Sequence, residues 1–321
     1  MGGMTAPVGV IGGGRFGRAL AGAVSRHGLG VRLWTRRPDE IDLEGVFVTN
    51  LPAELEPCEL VFVCVPSPHV ERIADLFATH LDGGHLLVHV SRGLIGSDLV
   101  TVGDVLMART PVRRVGAMAG PISAHALEAG DPSGVVVGSR FPETTVSVRR
   151  VLAKAGCRVY GTDDRVGVEL ASALAGLVAL AVGIASGLGL GPSMRAVLAA
   201  RGMVEAARVV RSRNGRWATL QGLAGWGDLA AALLDPTRPE LAYGKGLGEG
   251  RIATSETSHD EVFIEGRSLC RNVVRFAQSR GIEVPLLEAL DAVLGGTAPH
   301  DAMKRLLARP VGSEGIETLG P

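Results

Sequence analysis

The chain has 321 residues, of which 46% are hydrophobic and 21% charged, and its net charge is zero. That hydrophobic content can fill a core in each of two domains, and it excludes a disordered chain. Balanced charge leaves no electrostatic case for nucleic acid or an anionic membrane as the main partner.

The cysteines, Cys58, Cys64, Cys157 and Cys270, lie far apart in apolar stretches and read as reduced, buried thiols, an expectation that favours the cytoplasm. Met1–Pro7 lacks the basic-then-apolar pattern of a secretion leader. Only Lys154, Lys245 and Lys304 carry titratable amines. The uncharged run Leu170–Met194 is long enough to span a bilayer. Its glycines, serines and proline instead predict a small-residue helix buried inside the protein, without membrane insertion.

In chain order, Val8–Ile11, Gly30–Trp34, Leu60–Val65, His85–Val90, Arg114–Met118, Gly134–Val137 and Arg158–Tyr160 are predicted strands. Arg15–His27, His69–Leu81, Asp98–Ala108 and Pro142–Ala155 are the helices among them. This alternation predicts a Rossmann-type, doubly wound parallel sheet over residues 1–161. Beyond Gly161 the pattern is helical: Val166–Ile184, Ser193–Val210, Gly227–Leu234, Asp260–Arg280, Pro285–Leu294 and Pro299–Ala308. Residues 162–321 are therefore expected to form an all-α substrate and catalytic domain.

The first strand runs into Gly12-Gly13-Gly14-Arg15-Phe16-Gly17, with a helix following. This is GxGxxG in its strand–turn–helix setting, the arrangement that seats a dinucleotide pyrophosphate on a helix N-terminus. Gly12 makes the tight turn, Gly14 lets the phosphates approach, and Gly17 lets helix and strand pack. After the second strand comes Thr35-Arg36-Arg37. A carboxylate for the ribose 2′-hydroxyl is missing there, and two guanidiniums suit a 2′-phosphate. The cofactor is expected to be NAD or NADP, with NADP favoured.

Several further segments, in order, resemble the NAD(P)-dependent glycerol-3-phosphate dehydrogenases. They are IGGGRFGRAL, VRLWTRR, CVPS (Cys64–Ser67), SRGL (Ser91–Leu94), AGP (Ala119–Pro121), GVELASALAGLVALAVGIASGLGLG, AVLAARGMVEAAR, GLAGWGDL, YGKGLGEG, IEGRS and GIEVPLLEAL. The resemblance implies hydride transfer between a nicotinamide and C2 of glycerol 3-phosphate or dihydroxyacetone phosphate, with a lysine handling the hydroxyl proton. It assigns Gly12, Gly14, Arg15, Phe16, Gly17, Arg36, Arg37, Ala124 and Glu265 to the cofactor, Gly120 and Arg238 to the substrate, and Asp228 and Arg92 to catalysis.

The chain departs from the family pattern where the substrate would sit. The lysine and asparagine of the Leu-Lys-Asn run fall on Ala175 and Gly176, and the Ser-Arg-Asn phosphate triplet falls on Arg238-Pro239-Glu240. A threonine becomes Ala232, the serine after Gly-Pro becomes Ile122, and the lysine of Ser-Lys-Gly becomes Arg92. His89, His125 and His259 are scattered; His125, five residues beyond Gly120, is a candidate proton shuttle, and Lys245 reads as solvated. Metal-ligand spacing is absent. Three readings stay open, of which the last, a scaffold that has lost cofactor binding, is disfavoured by the well-formed glycine loop. One is a glycerol-3-phosphate dehydrogenase-like oxidoreductase, probed with the family's substrates or a less anionic relative. A second is a catalytically silent NAD(P)-binding protein that senses or binds partners. A homodimer is the expected assembly.

Overall fold

In a computed structural model of the chain, residues 6–251 and 266–310 are described here. Contacts divide it into two units, 1–93 with 100–169, and 94–99 with 170–321.

The first unit is built on an eight-stranded sheet. Its strands are β1 (Val8–Ile11), β2 (Val31–Trp34), β3 (Val46–Thr49), β4 (Leu60–Val63), β5 (Leu86–His89), β6 (Val115–Ala119), β7 (Ser133–Gly138) and β8 (Cys157–Thr162). They lie in the order β8-β7-β6-β5-β4-β1-β2-β3. The strands β1, β4, β5 and β6 are buried along their whole length, which is why their sequences are continuous apolar runs. Around the sheet lie α1 (Arg15–Ser25), α2 (Val70–Phe77), α3 (Val102–Arg109), α4 (Ala124–Ala129) and α5 (Pro142–Leu152).

The Rossmann-type class is the expected one, with a single antiparallel junction. From β3 to β6 all neighbours run parallel, whereas β6 and β7 pair antiparallel, Met118 opposite Val137. The connection between these two explains it. Its helix α4 has six residues, about 9 Å of rise, too short to carry the chain back along a strand for a parallel start. It packs instead on α1, where Arg26 donates to the Leu127 carbonyl. The strand β3 was not apparent in the sequence, being a four-residue, partly exposed edge.

The second unit is helical: α6 (Arg165–Gly187, its first residues counted with the sheet unit), α7 (Pro192–Ser212), α8 (Trp217–Gln221), α9 (Asp228–Leu234), α10 (Pro239–Gly248), α11 (Gly266–Ser279), α12 (Pro285–Leu294) and α13 (Pro299–Leu307). Proline opens α7, α10, α12 and α13, the position where its missing N–H costs nothing. The apolar α6 has the length and hydropathy of a membrane span, and its most apolar stretch is wholly buried inside the protein.

Helix α10 is the element that the sequence conceals, because Gly244, Gly246 and Gly248 read as helix-breaking. Packing overrides propensity. A Cβ on Gly244 would strike the Leu180 carbonyl, one on Gly248 the Ile184 carbonyl, and one on Gly183 the Leu241 carbonyl. The helices α6 and α10 thus meet backbone to backbone along a glycine seam, running parallel in register 180–244 and 184–248.

Candidate functional site

Within the sheet unit, the carboxyl ends of parallel strands gather the motif residues at one edge: Gly12 after β1, Cys64–Ser67 after β4, Ser91 and Arg92 after β5, and Gly120 after β6. The order reverses between β4 and β1, the position where doubly wound sheets bind ligands. Gly12 has φ +119°, and a Cβ there would collide with the Cys64 carbonyl; a Cβ on Gly17 would collide with the Gly12 carbonyl. These two glycines are steric requirements of the turn. Gly14 differs: nothing lies within 4 Å of a Cβ built on it. It is the N-cap of α1, whose first turn has no acidic residue and whose cap receives no side-chain hydrogen bond. The first N–H groups of α1 therefore face open space with their partial positive charge available to an anion. Arg15 is exposed and Phe16 packs partly on the core beneath.

Beside the loop, Thr35 is buried, its Oγ1 2.6 Å from the position a Gly13 Cβ would take. The two arginines that follow separate in role. Arg37 pairs with Glu40 at 3.3 Å. Arg36 shares its surroundings with His69 and Arg72: partial burial and then these two guanidinium charges hold the His69 imidazole below its ordinary pKa. Burial pushes the Cys64 thiol under the loop up to about 12, so it is neutral at physiological pH.

A buried ion network, unnoticed in the sequence, lies at the end of β5. Glu169 Oε1 stands 2.8 Å from His89 Nε2 and accepts from the Gly103 N–H at 2.8 Å. Glu169 Oε2 pairs with Arg165, which also reaches Thr101 Oγ1 at 2.9 Å and Asp104 at 2.5 Å. The network ties β5 to the first turns of α3 and α6. The glutamate of GVEL, charged inside an apolar run, was the available signal. Of the other expected residues, Arg92 is half-buried, Gly120 has φ +130°, Ala124 opens α4, and His125 on the same helix is exposed. Glu265 and His259 lie outside the described residues.

In the helical unit, Asp228 opens α9 and is 1% exposed; Arg238, the N-cap of α10, is 7% exposed. They form a buried ion pair, Arg238 Nη2 to Asp228 Oδ1, at 2.9 Å. Arg238 is therefore engaged by a carboxylate of its own chain. Glu240, in the first turn of α10, lies beside Gly176, with its Cγ 3.8 Å from the position of a Gly176 Cβ. Ala175, where the resemblance places an amine, is 1% exposed in the middle of α6. Lys245 is half-exposed, 3.8 Å from Glu249. Among the described residues, no group of three or more His, Cys, Asp or Glu is arranged to hold a metal ion.

A dinucleotide-binding sheet followed by a helical unit is the architecture of a nicotinamide-dependent oxidoreductase acting on CH–OH groups. Comparison narrows the class. Residues 7–43 and 44–145 match the N-terminal part of NAD-dependent glycerol-3-phosphate dehydrogenase, and residues 164–304 its C-terminal part. The chain belongs to this family. It is 32% identical over 325 residues to a glycerol-3-phosphate dehydrogenase [NAD(P)+] of Azorhizobium caulinodans, covering 96% of this chain and 98% of the relative. It is 31% identical over 326 residues to that of Chelativorans sp., with the same coverage. The crystal structure of glycerol-3-phosphate dehydrogenase from Coxiella burnetii superposes with a TM-score of 0.85 at 28% identity, over 95% of this chain and 99% of that one. A ketopantoate reductase from Ralstonia eutropha shares the fold at a TM-score of 0.61 and 18% identity, covering 92% and 99%.

Proposed function

We propose that the protein transfers hydride between NAD(P) and a small carbonyl or alcohol substrate of the glycerol 3-phosphate/dihydroxyacetone phosphate type, with the nucleotide held by the sheet unit and the substrate by residues 162–321. The observation that carries this is the open, uncapped N-terminus of α1 at Gly14, framed by two glycines that cannot be anything else. Gly12, Gly14, Arg15, Phe16 and Gly17 would hold the pyrophosphate side, and Ala124 and Glu265 complete the proposed cofactor set. The bound nicotinamide supplies a hydride donor or acceptor at its ring; the chain's own part is to bind, orient and stabilise charge. Arg92 supplies a fixed positive charge at the carboxyl edge of β5 for an oxygen that gains electron density, and Gly120 at the end of β6 completes the proposed set. With Arg238 already engaged, Asp228 is a positioning residue that acts through it. We extend the proposal to a cytoplasmic homodimer, supported for location by four unpaired thiols.

NADP is the preferred cofactor in this proposal. Arg36 and Arg72 concentrate positive charge beside His69 near the end of β2, while Arg37 also pairs with Glu40 on the surface. Fluorescence titration with NADPH and NADH, followed in the same cuvette by dihydroxyacetone phosphate and a panel of small carbonyls, tests the whole proposal. Binding of NADPH with oxidation by one of the carbonyls is expected. Binding without turnover on any carbonyl sinks the catalytic reading in favour of a silent nucleotide-binding protein. Arg36→Ala is expected to weaken NADPH about tenfold and NADH little, as loss of a charged phosphate contact predicts.

A further inference from the structure

Arg92 stands on a stretch of chain whose two ends converge on one buried carboxylate. The chain leaves the sheet unit after Gly93 and re-enters it at Val100. On the outgoing side β5 ends at His89, Val90 donates its N–H to the Val63 carbonyl at 3.1 Å, and Ser91 Oγ donates to the Val65 carbonyl at 2.6 Å. On the returning side Thr101 caps α3, its Oγ1 accepting from the Asp104 N–H at 3.2 Å. Glu169 Oε1 touches both ends at once: it stands 2.8 Å from His89 Nε2 and accepts from the Gly103 N–H at 2.8 Å. Arg165, paired with the other oxygen of Glu169, grips the returning end a second time through Thr101 Oγ1 and Asp104. It lies so close over Gly103 that a Cβ there would strike the guanidinium.

Stability alone is a poor account of this arrangement. His89 is 1% exposed, Glu169 4% and Arg165 9%, and charges taken that far from water lose in desolvation about what they gain in attraction. What the carboxylate supplies is geometry: two directed contacts meeting at one oxygen, which an apolar side chain of the same size could not make. A nitrogen that faces a carboxylate oxygen at this distance carries a hydrogen, so the orientation of the His89 ring is set as well, three positions before Arg92. We infer that Glu169 and His89 are positioning residues for Arg92: they hold the start and the return of residues 90–100 at a fixed separation and so fix where the Arg92 backbone leaves β5. The inference rests on the reading of Arg92 as the fixed positive charge of the proposed reaction.

The test uses three substitutions in the full-length protein. His89→Leu removes the nitrogen, His89→Gln keeps one within reach of Glu169, and Arg92→Ala removes the group being positioned. Turnover is measured with NADPH and dihydroxyacetone phosphate, and amide hydrogen exchange is followed on each protein without ligands. His89→Leu is expected to lower kcat on the order of 10²-fold, the cost of misplacing a group by about 1 Å, with NADPH affinity unchanged. His89→Gln is expected to restore most of that loss. In the Arg92→Ala background His89→Leu should cost nothing further, as for residues that act through one another. A packing role would subtract equally in both backgrounds, and that result overturns the inference. Exchange is expected to quicken at residues 90–93 and 100–104 and nowhere else in the sheet unit; unchanged exchange there also overturns it. Should His89→Leu fail to fold, Glu169→Gln, which keeps an oxygen for the Gly103 N–H, carries the same expectations for kcat and for exchange at 90–93. If Arg92→Ala turns over at the native rate, the reading of Arg92 falls and takes the inference with it. If the native protein reduces no dihydroxyacetone phosphate, the proposed reaction on that substrate falls, while quickened exchange at both ends still upholds the clamp.

Discussion

The glycine loop and the helical cluster, proposed to hold nucleotide and substrate, are built in opposite ways. The loop works with backbone. Its recognition elements are N–H groups at the start of α1, and its side chains matter chiefly by being absent at Gly12, Gly14 and Gly17. The cluster works with ionisable side chains, and each of these is also a structural group: Asp228 and Arg238 compensate one another in the interior. Backbone recognition leaves a chain few alternatives, since a Cβ on Gly12 or Gly17 has nowhere to go. Side-chain recognition can change letter by letter, and Ala175, Gly176, Pro239 and Glu240 are where the resemblance to the family predicts other residues. The comparison teaches that a site made of backbone is easier to read from a sequence than one made of side chains, because the two are written in different parts of the polymer.

That contrast can be broken most severely at Asp228. Asp228→Ala removes the carboxylate that pairs with the buried Arg238 guanidinium and is expected to cost about 3–5 kcal/mol of stability. Asp228→Leu combined with Arg238→Met, which removes both charges, is expected to recover most of it. Urea unfolding of the single and double variants checks this. If the single variant is as stable as the native protein, the pair is not structural.

The second test concerns pH. Glu205 on α7 is buried and accepts from the Leu286 and Leu287 N–H groups at 2.8 and 3.1 Å, closing the start of α12. Burial, opposed by those two hydrogen bonds and by Arg208, pushes its carboxyl up to about 7. An unfolded chain releases that proton near the ordinary value of about 4.3. Between the two values the folded protein keeps a proton that the unfolded chain has lost. This group's contribution therefore declines as pH rises through that window, by about 4 kcal/mol in total, and is flat above about pH 7. Melting temperature followed from pH 4.5 to 8 should show Glu205→Gln falling less steeply than the native protein; parallel curves would reject the assignment.

The smallest effect sharpens the other side of the comparison. Gly14→Ala meets no atom within 4 Å, so the melting temperature should stay within a degree or two. NADPH affinity should nevertheless drop about tenfold, because the methyl group occupies the approach to the α1 N-terminus. Equal affinity would mean that the pyrophosphate does not come in over Gly14.

Much of the fold was legible in the sequence for the same physical reasons. β1 spans Val8–Ile11 and α12 spans Pro285–Leu294, as read, because a buried parallel strand is a short apolar run and a proline marks a helix start. What escaped were elements whose cause is tertiary. Helix α10 exists despite its glycines because α6 lies against it, and β7 turns antiparallel because α4 is short. In the sites, the GxGxxG loop was readable because local chain geometry makes it. The contact of Glu169 with His89 joins positions 80 residues apart, and the engagement of Arg238 by Asp228 depends on how α9 and α10 meet. No local pattern encodes either.

The glycine seam between α6 and α10 has a consequence for how this protein can change over generations. A layer of side chains between two helices acts as a cushion in which one mutation can be absorbed by its neighbours. Carbonyl against α-carbon leaves no cushion, so Gly183, Gly187, Gly244 and Gly248 tolerate nothing larger. The seam ends at Gly176 and Glu240, where contacts relax to ordinary van der Waals distance. Inherited variation along this helix pair is thereby channelled to that one end, on a frame that cannot drift.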